Sequence, residues 1–151
     1  MHVNQYISHV YDAEKNLSLG LKKVITQHSF ETDVVEMCAR FLLWSEQHRS
    51  SLDALEPGSN NDEEAESPKL FKTLFQTMRM GPYGLLRDLH ALSLLIHEVH
   101  TSWTILQQGA MAMRNTQLEI LCKEAGVHTN KESMWVETRI KNAAAQVLVV
   151  G

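Results

Sequence analysis

The chain has 151 residues, a formal net charge of −4 and only two cysteines. This length predicts one domain with a sizeable hydrophobic core. The 14 basic residues form no dense run, which argues against a nucleic-acid partner, and two cysteines far apart in sequence indicate a reduced protein with buried thiols. The start lacks an apolar leader segment, and no apolar run is long enough for a membrane span. We therefore expect a cytoplasmic protein.

The first block of the chain predicts two amphipathic helices. Apolar residues recur every three or four positions over 3–24 and again over 34–55. The pattern breaks at residues 28–33, where Thr32 or Asp33 can cap a new helix. A link this short between two helices predicts an antiparallel hairpin.

All three prolines lie in the connection that follows, residues 57–83. Its first part is acidic and rich in turn-forming residues, so we predict an exposed loop. Ser67 and Pro68 are typical of a helix start, and the apolar residues after them predict a short helix that ends at Gly81-Pro82. The connection is long enough to run the length of a helix and to set two hairpins side by side.

The stretch 84–126 carries the longest apolar stripe and contains no proline. At about 1.5 Å per residue it would form a rod of about 60 Å, so we expect a bend or break near its internal glycine, Gly109. Gly126 is predicted to end this helix, and Thr129 or Asn130 is predicted to cap a last helix.

The predicted fold is all-α, because no segment alternates polar and apolar residues as a strand does. One domain over residues 1–151 would contain four main helices and a short extra helix in the crossover between helices 2 and 3. A bundle with one long crossover is the ferritin-like four-helix arrangement. The chain ends in VLVVG, and an apolar end of this kind is expected to pack on its own bundle or on a second copy. We expect a homodimer.

Two polar residues occupy inward positions in the first hairpin, Glu14 in the first helix and His48 in the second. Antiparallel pairing places them at similar heights. They are a metal-ligand pair, a buried Glu–His hydrogen bond, or a pair in which Glu14 points to a solvated end of the bundle. The two arrangements without a metal are the commoner ones. A di-iron bundle also needs Glu-x-x-His on two helices. The chain has no such motif, so we expect no standard ferroxidase site.

A second set of candidate ligands lies in the third main helix. His97 and His100 share a helix face, so a mononuclear site for Zn or Fe could combine them with Glu14 or Glu98, and a bound metal would be Fe, Mn or Zn. Histidines on the helix surface or at an interface are the commoner alternative. No cofactor is expected on balance.

An apolar ligand pocket lined by Trp44 and Trp103 is a further alternative, although aromatic residues at helical spacing usually belong to a core. The chain has no Gly-x-Ser-x-Gly motif and no Gly-rich phosphate loop. The sequence identifies no cationic partner that would lower the thiol pKa of Cys38 or Cys122. These observations do not favour an enzyme.

Short helical motifs in both halves resemble ferritin-like proteins. One set resembles the YciE/YciF-type stress-associated ferritin-like proteins and comprises YDAEK at 11–15, EQHRSSLDAL at 46–55 and LCKEAG at 121–126. A second set resembles an uncharacterised group of bacterial ferritin-like proteins and comprises LLRDLHALSLL at 85–95, SWTILQQGA at 102–110 and WVETRIKNAAAQVLVV at 135–150.

The first resemblance implies a metal site of inward Glu and His or Gln side chains, which Glu14 and His48 match. A loose alignment on Gly126 puts Gln108 and Gly109 where those proteins have a glutamate–histidine pair. It also puts Lys141 or a neighbour in place of a glutamate, and an inward lysine would repel a metal. The resemblance therefore implies half a site.

The expected function is that of a non-catalytic bundle without a di-iron site. It would act by self-association or by binding a protein partner, in a stress response. One alternative is a divergent metal-binding oxidoreductase that uses Glu14, His48, His97 and His100. The other is a binder of an apolar small ligand.

Overall fold

The computed structural model describes residues 2–55 and 69–150, and every regular element in these ranges is an α-helix. The all-α prediction is thereby confirmed for this part of the chain. The predicted loop after Pro57 and the predicted helix start at Ser67-Pro68 lie outside the described residues. The helices are α1 (Val3–Gln27), α2 (Thr32–Leu55), α3 (Lys69–Leu74), α4 (Gly81–Ala112) and α5 (Thr116–Val150).

Helix α1 is central to the packing, because it lies between α2 and α4, and α5 packs mainly along α4. The apolar stripes predicted from the sequence supply the core, in which Leu17, Leu21 and Leu92 are fully buried. Burying one such side chain contributes about 1.5–3 kcal/mol to stability. Gly20 lies at the contact between α1 and α4, where a Cβ atom would come within 2.5 Å of a methyl group of Leu95. A larger residue there would displace that leucine.

Neighbouring long helices run antiparallel. The hydroxyls of Ser18 on α1 and Ser45 on α2 lie 2.9 Å apart, which fixes the register of the predicted first hairpin. Helices α2 and α5 make the loosest of the contacts between long helices, because aromatic rings lie between them. Phe41 meets the edge of Trp135 there, with ring centroids 5.9 Å apart.

The boundary between the last two long helices lies close to the predicted break near Gly109 and not at the predicted helix end, Gly126. Gly126 does not end a helix; it lies inside α5, and the chain turns at residues 113–115 instead. Arg114 adopts a left-handed conformation with φ 56°, and Asn115 Oδ1 accepts a hydrogen bond from the Leu118 amide at 3.2 Å. Asparagine is a strong helix N-cap, so this cap and the preceding turn set the boundary. Thr129 and Asn130, predicted as alternative caps, are also inside α5.

The short helix in the crossover is confirmed as α3, and the Phe71 amide that it carries donates to Asn16 Oδ1 on α1 at 2.8 Å. Pro82 does not end this helix but stands in the first turn of α4. Proline is well suited to a first turn, where its missing N–H is not needed.

A buried ion cluster joins three parts of the chain near the start of α4. Asp88 is fully buried and accepts hydrogen bonds from His28 Nε2 at 2.7 Å and from Arg79 Nη1 at 3.0 Å. Arg79 also donates to the Leu74 carbonyl at 2.9 Å. The cluster therefore ties the end of α1 and the end of α3 to α4.

Candidate functional site

The structure brings Glu14 and His48 into contact in the core. His48 Nδ1 lies 3.3 Å from Glu14 Oε2, and the Trp103 indole N–H donates to Glu14 Oε1, also at 3.3 Å. All three side chains are buried. Each belongs to the inward stripe of a different helix, which is why three distant segments meet at one level. Glu14 thus has a protein donor on each carboxylate oxygen.

His128 on α5 extends this cluster to a fourth helix. Its Nδ1 lies 2.8 Å from His48 Nε2, and its ring stacks on Trp44 with centroids 4.3 Å apart. Burial and the neighbouring His48 lower the pKa of His128, so the neutral ring is favoured. When His48 donates to Glu14, its other nitrogen accepts from His128. Sequence reasoning missed His128 because the predicted break at Gly126 placed it in a turn.

Glu132 lies one helical turn after His128 and is also buried. Its Oε2 atom has no hydrogen-bond partner among the described residues. Burial, with a smaller contribution from the negative charge of Glu14, raises the pKa of Glu132 well above the usual range. The protonated form of Glu132 is therefore favoured. The core thus contains two carboxyl groups, the hydrogen-bonded carboxylate of Glu14 and the preferentially neutral acid of Glu132.

The ligand positions of a di-metal carboxylate bundle are largely filled by other residue types. Such a bundle uses a Glu on each of two helices and a Glu-x-x-His motif on each of the other two. The residue three before His48 is Ser45, and the residue three before His128 is Ala125. Trp103 occupies the α4 position that contacts Glu14. Across residues 2–55 and 69–150, no three His, Cys, Asp or Glu side chains are arranged so that they could hold a metal ion.

The other predicted ligands lie elsewhere. His100 Nδ1 is 2.7 Å from the hydroxyl of Thr129 on α5, and His97 is exposed on α4. Neither is hydrogen-bonded to Glu14 or His48. Lys141 does not point inward, because this side chain is exposed and its Nζ lies 3.4 Å from Glu137 on the same helix.

The two tryptophans proposed for a ligand pocket are occupied by protein contacts. Trp103 is fully buried, and Trp44 is covered on one face by His128. A cavity of about 280 Å³ lies instead beside the first turn of α4, lined by Thr77, Arg79, Met80, Tyr83, Gly84 and Arg87. Burial also raises the pKa of Cys38 and of Cys122 to about 12, so neither thiol is an activated nucleophile.

The side of α5 turned away from the core carries exposed apolar residues, and we call it the outer face. Ile120, Val127 and Met134 recur every seven residues and are 54–61% exposed. Seven residues are close to two helical turns, so the three side chains form one stripe. The helix ends in an apolar tail, residues 148–150, whose side chains are 66–84% exposed. Single exposed apolar residues are common, but a row of them indicates an interaction surface.

Comparison of the chain with protein-family models, curated proteins and solved structures found no match. None of the helices that the structure describes has the length and apolar character needed to cross a membrane. The core cluster consists of Glu14, His48, Trp103, His128 and Glu132. This cluster and the outer face of α5 are the two features that carry the functional proposals below.

Proposed function

We propose that the protein is a ferritin-like four-helix bundle without a metal centre that works by associating with a second copy of itself. The observation that carries this proposal is the exposed apolar tail of α5. Arg139 on α5 is paired with Asp33, in the first turn of α2, at 2.7 Å. The helix therefore continues about three turns beyond its contact with α2. Covering its apolar end with a second copy would remove that surface from water.

The absence of a metal centre is supported by the core cluster. Ser45 and Ala125 stand three residues before His48 and His128, where a Glu-x-x-His motif has its glutamate, and the α4 residue that contacts Glu14 is Trp103 instead of a carboxylate. Protein donors already satisfy the carboxylate of Glu14. A role in a stress response is supported by the resemblance of the first hairpin to stress-associated ferritin-like proteins.

The double substitution Leu148→Gln/Val149→Gln should convert the dimer into monomer at micromolar concentration. Full burial of each apolar side chain contributes about 1.5–3 kcal/mol, so we expect dimerisation to weaken about a hundredfold or more. Light scattering of the wild-type chain should give twice the 17.2 kDa chain mass. The control is Leu43→Gln on α2, which is 57% exposed and should leave the dimer intact. A monomeric wild-type chain would refute self-association.

A divergent metal-binding protein is the second candidate, and Glu132 is the observation in its favour. Its unpartnered Oε2 and the facing charge of Glu14 mark the point at which a cation would relieve both the repulsion and the missing contact. As they stand, the described side chains do not converge on a metal ion. Fe, Mn or Zn would therefore bind here only if Glu132 and His128 turned towards Glu14, and the ligands would not include His97 and His100.

The substitution Glu132→Gln distinguishes the two candidates. Without a metal, the raised pKa of Glu132 means that the stabilisation from its protonation is complete below the unfolded value of 4.5 and is lost as pH rises through the folded pKa. The variant should therefore be more stable than wild type at pH 7–8, with a difference that shrinks towards pH 4.5. Urea unfolding at several pH values measures this.

Glu124→Gln, at an exposed position on the same helix, is the matched control and should show little change. Elemental analysis of protein purified without a metal-affinity tag completes the test. About one equivalent of Fe, Mn or Zn in the wild type, lost together with stability in Glu132→Gln, would establish the metal-binding candidate and reject the metal-free proposal.

A further inference from the structure

The outer face of α5 also indicates how two copies would meet. We infer that the second copy pairs antiparallel along this face, with the two-fold axis beside Asn130. The inference rests on the proposed self-association and adds the partner surface and its register. Three features of α5, each taken from different side chains, lead to this one register.

The first feature is a row of charges beside the apolar stripe. Glu119 pairs with Lys123 at 3.1 Å, and Glu137 pairs with Lys141 at 3.4 Å. The two pairs are 18 residues apart, which is five helical turns, so all four charges lie on one side of the outer face. In an antiparallel two-fold pair, each side of a helix faces the same side of its partner. The row therefore meets the row of the second copy.

The register that makes these rows complementary is centred on Asn130. Lys123 and Glu137 are each seven residues from it, and Glu119 and Lys141 are each eleven residues from it. Lys123 then faces Glu137 of the second copy. Glu119 faces Lys141 of the second copy. Opposite charges alternate through the whole group, which favours this pairing over shifted ones.

The second feature is the apolar stripe itself. Val127 and Met134 lie three and four residues from Asn130, so Val127 of one copy packs beside Met134 of the other, twice by symmetry. Both side chains are more than half exposed in the single chain. They supply an apolar centre beside the paired charged rows.

The third feature is the apolar tail. Residues 148–150 lie far enough from Asn130 to pass the beginning of the second copy's α5 and reach its turn between α4 and α5. That turn region exposes Met111 and Met113, at 47% and 36%. Methionine adapts its shape to an apolar partner. The same register therefore covers the tail and both methionines.

Lys131 is an unfavourable residue in this arrangement. It lies next to the axis on the other side of the stripe, so the two copies of Lys131 face each other. Lys131→Gln should remove this repulsion and tighten the dimer. A dimer that weakens on this substitution would contradict the register.

Charge reversal tests the register directly in the full-length chain. Lys123→Glu or Glu137→Lys alone should weaken dimerisation about tenfold, because each places two like-charged contacts in the interface. The double variant restores opposite charges across the interface and should recover most of the wild-type affinity. Sedimentation equilibrium measures all four proteins. Circular dichroism confirms that each variant remains helical.

Disulfide trapping gives an independent readout. Asn130→Cys should form a covalent dimer under mild oxidation, whereas Ser50→Cys, exposed on α2, should not. The native thiols are buried and weakly acidic, so they should not interfere. A dimer that shows neither cross-link nor charge effects would overturn the antiparallel register while self-association stands. A wild-type monomer at 100 micromolar, on the order of the weakest specific dimers, would overturn both.

Discussion

Replacing Trp103 by alanine is expected to lower the free energy of unfolding by about 3–5 kcal/mol. Trp103 is fully buried, so the substitution removes the largest side chain of the core and leaves a cavity. It also removes the N–H that Glu14 Oε1 accepts, which leaves a buried carboxylate oxygen without its donor. Urea unfolding followed by circular dichroism measures the loss.

Two further variants separate the causes of this loss. Trp103→Phe keeps most of the ring volume and removes the donor, so it should cost less than the alanine variant. Trp44→Ala is the control at a partly exposed ring that stacks on His128, and it should cost less still. Equal losses at Trp103 and Trp44 would show that the core cluster does not depend on the contact with Glu14.

Asp88→Ala is expected to cost about 3 kcal/mol, because removing one partner of a buried ion cluster leaves the remaining charge unpaired. The substitution leaves His28 buried without its acceptor and frees Arg79 from one of its two contacts. Urea unfolding at pH 7 measures the change. Asp33→Ala is the matched control, because Asp33 also binds an arginine, Arg139, but is exposed.

The control should cost less than about 1 kcal/mol, as exposed ion pairs usually do. If Asp88→Ala and Asp33→Ala cost the same, the cluster at the start of α4 would not hold the end of α1 in place. An Asp88→Asn variant, which keeps the shape of the side chain and one acceptor oxygen, should lie between the two.

The positions of the first two helices were predictable because their apolar stripes are regular and their connection is short. The length of the third long helix predicted a break near Gly109, and the chain turns close by, at residues 113–115. The start of the last helix was not predicted, because Gly126 outweighed Asn115 in the sequence. In the structure Gly126 meets no neighbour that would exclude a Cβ atom and needs no special conformation. A glycine is permissive for a helix end but does not require one. Asn115, which caps α5, was the better signal.

The contact between Glu14 and His48 could be predicted because one hairpin sets it. The contacts with Trp103, His128 and Glu132 could not, since they depend on how α4 and α5 are rotated against the first hairpin. Periodicity shows that a residue faces the core, but it does not show which residue it meets there. The misplaced helix end also removed His128 from consideration.

The loose contact between α2 and α5 connects a buried carboxylate to the surface. Of the three groups in the hydrogen-bonded chain from His128 through His48 to Glu14, His128 alone is partly exposed. Two imidazoles therefore connect the innermost carboxylate to the surface through consecutive hydrogen bonds. The rings between α2 and α5 thus form part of a continuous polar connection from the surface to the middle of the core.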